Sequence, residues 1–536
     1  MILLALLLLG MYAPHGGAQV PTAEQHAKKG SALARSGELE RAEAEVRQAV
    51  ALAPKNAEYL STLGSILGMR KNMDESSRCF EKALQINPND WATRRNLASN
   101  QFQAGKLEPA RKNLDMVLRA NAEDKTAVLL LGMVAEELRD YPAAIRRLAS
   151  VPDLVRERPQ SIAALARAYY RTGAKESARA ALASMDRAQM GSEGVFLSAQ
   201  IAAAEADYAT AARLLASIRS EYADRDRLDY ELALVDYHAS RIDESIEILS
   251  SLAGRGRQTS DVFNLMAWCL HKKGNFKDAV AAMDLAIERE PARESNYLDL
   301  GMILLSYRRF DVALEVATKA VAVAPESYQA HMLKGLVEAR MSHLNDAEKT
   351  YADAVELDPK ASEALLALAL VESANEKQRQ SRETFERALK KFPRHGIIYQ
   401  EYARMLLKFS AGSDRAVKAK AISLLKSALA FDGSLAESHY QLGNLALKDG
   451  DLPLAIRHLE TAVRLRPASS KIRFALARAY KRAGRSEQAS KEVASFQRLK
   501  TEEEKSPDGV ITKGATAEIP DLAPLESAAD PNQEPR

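Results

Sequence analysis

The tetrad Gly191, Ser192, Glu193 and Gly194 is the nearest this chain comes to a catalytic signature. A nucleophilic serine of the elbow type needs Gly-x-Ser-x-Gly on a sharp strand-to-helix turn, so that the hydroxyl stands clear of the backbone beside a base. Here the pattern is one residue short and an apolar run follows, so the tetrad reads as a turn with Ser192 capping a helix. The nine histidines are dispersed, and near pairs such as His331 and His343 do not share a helix face. No His-Glu-x-x-His, Cys-x-x-Cys, Gly-x-x-x-x-Gly-Lys or Gly-x-Gly-x-x-Gly pattern occurs, so the sequence predicts no metal, no cofactor and no catalysis.

The elements that carry these residues announce themselves by period. Pro291, Pro325, Pro359 and Pro393 are each 34 residues apart. A first column of small residues keeps nearly the same beat, from Gly30, Gly64 and Ala98 to Gly443 and Ala477, with Gly or Ala at all fourteen positions. Twelve residues further on in most units a second column runs from Ala42 and Ser76 to Ala455 and Ala489, and every member is Ala or Ser. Apolar residues flank both columns at helical spacing, as in Leu60, Leu63 and Leu67 or Tyr351 and Ala354, which predicts pairs of amphipathic helices. The columns predict helix axes so close that only a hydrogen, a methyl or a hydroxymethyl fits between them.

A 34-residue unit with a Leu-Gly pair, a small residue early in its second helix, an aromatic or leucine four later, an alanine three after that and a closing proline resembles the tetratricopeptide repeat. The fullest match runs through Tyr297, Leu300, Gly301, Ala313, Ala320 and Pro325, then Gly335, Ala347, Tyr351, Ala354 and Pro359. The resemblance covers residues 23 to 503 and implies an all-α, right-handed superhelical solenoid of about fourteen helix-turn-helix units that binds proteins or peptides. Units start near 23, 57, 91, 125, 159, 192, 226, 260, 294, 328, 362, 396, 436 and 470. The closing proline is missing from the units near Lys125, Pro159, Ser192 and Asp226, where irregularity is expected. Between Ala403 and Ala421 the columns stand 18 apart instead of 12, which predicts a turn lengthened by six residues around Phe409 to Asp414.

The resemblance also implies that first helices line a concave groove, viewed from positions flanking the first column. Three candidate partner-binding zones follow. The first is aromatic and polar: Tyr230, Tyr237, His238, Asn264, Trp268 and His271. The second is apolar, with Leu298, Met302, Met332 and Leu336, and either holds an amphipathic segment or is core between neighbouring helices. The third is basic, with Arg404, Lys408, Asn444, Lys448, Lys471, Arg478, Lys481 and Arg482 around Tyr440 and Phe474; it suits acidic peptides or carboxylates, unless its charges are simply solvated. The family's carboxylate-clamping pattern is incomplete at Arg404, Gln441 and Lys471.

At the N-terminus the apolar run Ile2 to Leu9, followed by Pro14, Gly16 and Ala18, resembles a signal peptide spanning 1–18, cut before Gln19. No Lys or Arg precedes the run, and at eight residues it is too short to span a bilayer, which takes about 20. It predicts an exported, periplasmic or secreted protein, or a cytoplasmic one if the run is not a signal. Residues 504–536 read as a disordered acidic tail. From Thr501 on there are nine acidic and three basic residues, a net of −6 against +3 for the whole chain. The remainder carries a mild basic excess, far from the dense stripe of a nucleic-acid binder. Cys79 and Cys269, six units apart, read as small packing residues. The expected function is a non-catalytic protein-binding scaffold of the cell envelope. The alternatives are a helical-repeat RNA binder and a non-catalytic subunit of a multichain enzyme, such as a glycosyltransferase or polysaccharide secretion complex.

Overall fold

The structure is a computed structural model that describes residues 21–185, 187–409 and 415–505. Among these residues the chain forms 29 helices and no strand. The expected leader, the core of the lengthened turn (410–414) and the tail from 506 lie outside the described residues. Two compact units divide the helices, one ending at Arg241 and one starting at Ile242.

Within each unit the repeating element is a helical hairpin, such as Ala57–Met69 with Met73–Ile86. Its turn explains why the two helices stay tied. The residue seven after the first column takes a left-handed backbone in every hairpin where that residue is described, from Gly37 (φ 84°) and Lys71 (φ 63°) to Gly450 (φ 84°) and Gly484 (φ 74°). The next amide then donates back to the carbonyl five residues earlier, as Asn72 N does to Leu67 O at 2.9 Å, which closes the first helix by the left-handed capping motif. That same residue starts the second helix: the Asn72 side chain accepts from Glu75 N, and Asp140, Asp207, Asn275 and Asp451 do likewise. One residue therefore satisfies orphaned backbone groups on two helices.

The first unit holds six hairpins and the lone helix Arg225–His238. Second helices shrink in three of the four units without the closing proline: Tyr141–Ala149 and Lys175–Ala183 have 9 residues and Tyr208–Ser217 has 10, against 13 in Ile242–Gly254 of the fourth and 14 in Leu39–Leu52. A short helix, Pro152–Arg156, occupies part of the freed chain. Gly191 (φ 59°, ψ −148°) breaks the run Arg187–Ala204 into two helices, so the Gly-Ser-Glu-Gly tetrad is a kink. In the second unit, Ile242–Gly254 leads into seven hairpins that end with Ser470–Arg482 and Ser486–Lys505. The insertion is not all turn: Arg415–Phe431 has 17 residues and starts six before Ala421, where its counterparts start three before their column. Its first residues, Ala-Val-Lys-Ala-Lys-Ala after Arg415, are mostly strong helix formers, and they absorb half of the extra chain.

The two small columns form the seam. Ala98, Ala166, Ala233, Ala267, Ala369 and Ala403 are fully buried, as are Ala42, Ser76, Ala110, Ala279, Ala347 and Ser381. Sixteen residues after each glycine of the first column in Gly64, Gly132, Gly335 and Gly443 stands a large side chain that fills the missing space. A β-carbon on Gly64 would lie 2.7 Å from the Phe80 ring, one on Gly335 2.7 Å from Tyr351, and one on Gly443 2.6 Å from Leu459. Phe80 and Tyr351 are 2% and 0% exposed, so neither ring has room to withdraw. At two serines of the second column the hydroxyl bonds across the seam: Ser76 Oγ donates to Gly64 O at 2.6 Å and Ser381 Oγ to Ala369 O at 2.8 Å. Cys79 and Cys269 are buried, and burial pushes both thiols up.

Left-handed backbone costs a residue with a β-carbon about 1 kcal/mol that glycine is spared. Lys71→Gly should therefore raise the thermal midpoint and Gly105→Ala, at the same place in the next hairpin, should lower it. Equal shifts of one sign in calorimetry would contradict the assignment.

Candidate functional site

Side chains on the first helices take one of three environments. In the first unit, His238 is exposed and stacks on Tyr208 (centroids 5.2 Å, 14°), with Tyr237 against its edge at 5.3 Å; Tyr230 is half-buried. In the second unit, Trp268 meets the edge of His271 at 5.5 Å and His271 the edge of Tyr307 at 5.4 Å, while Tyr307 packs on Phe276 at 4.6 Å. Burial, helped by the charge of Lys272, lowers the pKa of His271. Asn264 is engaged inside the array, donating to Asp299 Oδ2 at 2.7 Å and Asn296 Oδ1 at 3.2 Å. The aromatic zone thus divides into two ring clusters, one in each unit, each packed largely on its own neighbours.

The apolar zone is core. Leu298, Met332 and Leu336 are 6%, 1% and 1% exposed, and Met302 is half-buried against the same clusters. Leu298 shares a buried cluster with Leu333 of the next hairpin, and Met332 and Leu336 share one with Leu366 and Leu370 of the hairpin after theirs, so these side chains are covered and present no groove to a partner. Of the two readings of this strip, that corrects the peptide-holding one and leaves core between neighbouring helices.

The basic zone remains at the surface, increasingly so toward its end. Arg404 pairs with the buried Glu401 at 2.9 Å, and Lys408 donates to Ser373 O at 3.3 Å and lies over Phe409 at 5.1 Å. Asn444 and Tyr440 are half-buried and Lys448 is exposed. Lys471 pairs with Glu437 at 2.9 Å and lies over Tyr440 at 5.3 Å. Burial works to raise the Glu437 carboxyl, but the charge and hydrogen bond of Lys471, the Gln441 amide and the charge of Arg404 hold it below the usual carboxylate range. On the last first-helix, Ser470–Arg482, the residues Lys471, Phe474, Arg478, Lys481 and Arg482 are all exposed. Their spacing of three to four puts them on one face. Arg478 lies over the Phe474 ring at 6.0 Å, and Arg482 donates to Leu447 O. This face is a row of cations around an exposed ring. A carboxylate-bearing chain would meet both charge and an aromatic anchor there.

A second cluster escaped the sequence reading. His439 and His458 meet Nδ1 to Nδ1 at 2.9 Å, linking the two helices of one hairpin. The pair sits in a register shared by His26 with Glu45, Arg94 with Asn113 and Arg473 with Glu492. Each joins the position four before the first column to the position three after the second, 19 residues on. The two columns together contain that signal.

Profiles described as tetratricopeptide repeat match residues 28–90, 95–162, 202–269, 260–293, 298–362, 363–395 and 446–498, more than half of the chain in all. The chain belongs to the tetratricopeptide repeat family. Among curated proteins it is similar to two versions of the Hsp70-Hsp90 organising protein of Plasmodium falciparum, each 30% identical over 104 residues. The match covers 19% of this chain and 41% and 18% of those proteins, so it spans less than half of either relative. Among solved structures the chain is similar to yeast Tom70 (15% identity, TM-score 0.41, 92% of this chain and 98% of that one). It is also similar to the C-terminal part of a tetratricopeptide-repeat protein from Cytophaga hutchinsonii (16%, TM-score 0.38, 45% and 97%). In the described residues of this tetratricopeptide repeat protein no group of three or more His, Cys, Asp or Glu could hold a metal, and no helix is long and apolar enough to cross a membrane.

The histidine pair supplies a pH test. Burial lowers both imidazoles; for His458 the charges of His439, Arg457 and Lys426 add to it, and for His439 a hydrogen bond at Gly433 opposes it while Arg464 adds to it. Below the ordinary histidine pKa of about 6.5 the unfolded chain takes up protons that the folded chain refuses, so stability falls as pH falls through that window. The urea midpoint should drop between pH 7.5 and 5.5, and by less in His439→Asn/His458→Asn. An equal drop in both proteins would remove the pair from the account.

Proposed function

We propose that this tetratricopeptide repeat protein is a non-catalytic scaffold that holds an acidic segment of another protein along the first helices of its last three hairpins. The observation that carries the reading is the exposed row Lys471, Arg478, Lys481 and Arg482 around Phe474, which is 46% exposed. Cations on a fixed helix face attract carboxylates and set their register, and a partly exposed ring supplies the apolar contact that concentrates binding energy. The name of the Plasmodium relative, an organising protein, fits a scaffolding role. The local mixture of Glu401 and Glu437 with Arg404 and Lys471 suits a peptide with alternating charge and apolar residues better than a polyanion.

A fluorescent peptide rich in Asp, Glu and Leu should bind the protein, and Lys471→Glu/Arg478→Glu/Lys481→Glu should weaken it by at least about tenfold, since each exposed ion pair contributes about 0.2–1 kcal/mol and three are lost together. Unchanged affinity, or a preference for RNA with a steep salt slope, would overturn the reading.

We extend the reading to export, on the strength of the apolar run and small residues in 1–18. Intact mass of the protein from its native source should then correspond to a chain starting at Gln19. A mass that retains Met1–Ala18 would refute it.

A further inference from the structure

The end of the array is left open in a way that its interior is not. Phe474 stands three before the first column, where the interior hairpins place Leu298, Met332, Leu366 and Gln400, which are 6%, 1%, 3% and 7% exposed. Those are covered by a following hairpin. After Ser486–Lys505 no described hairpin follows, and Phe474 is 46% exposed with Phe496 beside it at 5.0 Å. Val493 takes the place that Tyr351, Phe385 and Leu459 fill at 0% exposure, yet it is 39% exposed. Repeat arrays need a polar cap at each end, and the last helix exposes mainly polar side chains such as Glu487, Lys491, Gln497 and Arg498, but Phe474 and Val493 interrupt that polar surface. Lys471, Arg478, Lys481 and Arg482 are exposed on the same helix as Phe474, with Arg478 over its ring. Neither Arg478 nor Lys481 has a carboxylate within ion-pair distance among the described residues.

The chain beyond Lys505 has the complementary chemistry. Residues 506–536 carry six acidic and two basic side chains, and within Glu518–Glu526 the apolar Ile519, Leu522 and Leu525 recur every third residue between Glu518, Asp521 and Glu526. The reach is also right. From Phe496 to Lys505 the helix advances about 13 Å at 1.5 Å per residue, and a tether of 14 residues, the number from Lys505 to Ile519, reaches about 20 Å on random-coil scaling.

We propose that the tail docks in cis on this open end, seating Ile519, Leu522 and Leu525 against Phe474 and Val493 with its carboxylates among the four cations. It acts there as a tethered competitor for the acidic partner, so this inference rests on the reading given under Proposed function. A tether of this length presents its segment at an effective concentration of about millimolar, enough to mask the face from weak ligands while yielding to a tight one.

The test uses the full chain, mixed in equal parts with an isotopically heavy copy and treated with a zero-length carbodiimide cross-linker. Mass spectrometry should find Lys471 or Lys481 joined to carboxylates of 518–526, light to light and heavy to heavy. Phe474→Asp, a change at an exposed position that leaves both lysines in place, should reduce those links by at least about fivefold. Removing 506–536 should tighten binding of the acidic probe peptide by a similar factor. Light-to-heavy links would overturn docking in cis and make the end a contact between copies. No tail links, with the probe peptide still bound, would overturn the tail alone; loss of both would overturn the binding reading with it.

Discussion

How closely two helices of a hairpin can approach governs everything else in this molecule. A glycine in the middle of a helix costs about 1 kcal/mol relative to alanine, and the first column holds six of them. Gly64, Gly335 and Gly443 show what is returned: the ring of Phe80 or Tyr351, or the branched end of Leu459, occupies the volume a β-carbon would need. Small on one helix is met by large on another, sixteen residues later for Gly64, Gly335 and Gly443 and from Leu333 of the next hairpin for Gly301. That pairing sets the hairpin's width, and the width sets how successive hairpins stack. Stacking then decides which first-helix side chains are buried and which reach solvent.

The candidate binding face follows from that stacking. Met332, Leu336 and Leu366 are interior because a following hairpin lies over them. Phe474 and Arg478 occupy equivalent places in the repeat and are exposed because nothing described lies over them. Chemistry at this end is thus a consequence of position in the series as much as of residue type. Glu437 shows how tightly charge is managed there: a buried carboxylate would be costly alone, but Lys471, Gln441 and Arg404 keep it ionised.

Fold class was legible because small-residue columns and helical apolar spacing are side-chain signals. The turn was only half so. Gly37, Gly105, Gly173, Gly274, Gly450 and Gly484 mark its left-handed position, but Lys71, Arg139, Ala206, Ser240 and Glu376 share that backbone and no side-chain property, which breaks up the third column. The apolar strip stayed open between groove and core for a different reason: leucine and methionine on a first helix look the same in sequence whether a neighbour covers them or not. Basic residues were easier to place, since lysine and arginine are seldom buried without a partner. The meeting of His439 with His458 lay within reach, because both columns were known and the 19-residue register repeats at His26 with Glu45.

The doubly used turn residue has a consequence for how the chain comes together. Asn72 completes one helix through its amide and begins the next through its side chain, and the seam bond from Ser76 to Gly64 spans only 12 residues. Contacts of such short separation close quickly and ask for little loop entropy. Folding can nucleate at whichever hairpin forms first and spread to its neighbours by nearest-neighbour stacking. No distant segment has to arrive before structure appears, so hairpins near the start can be in place while the chain that follows is still being made.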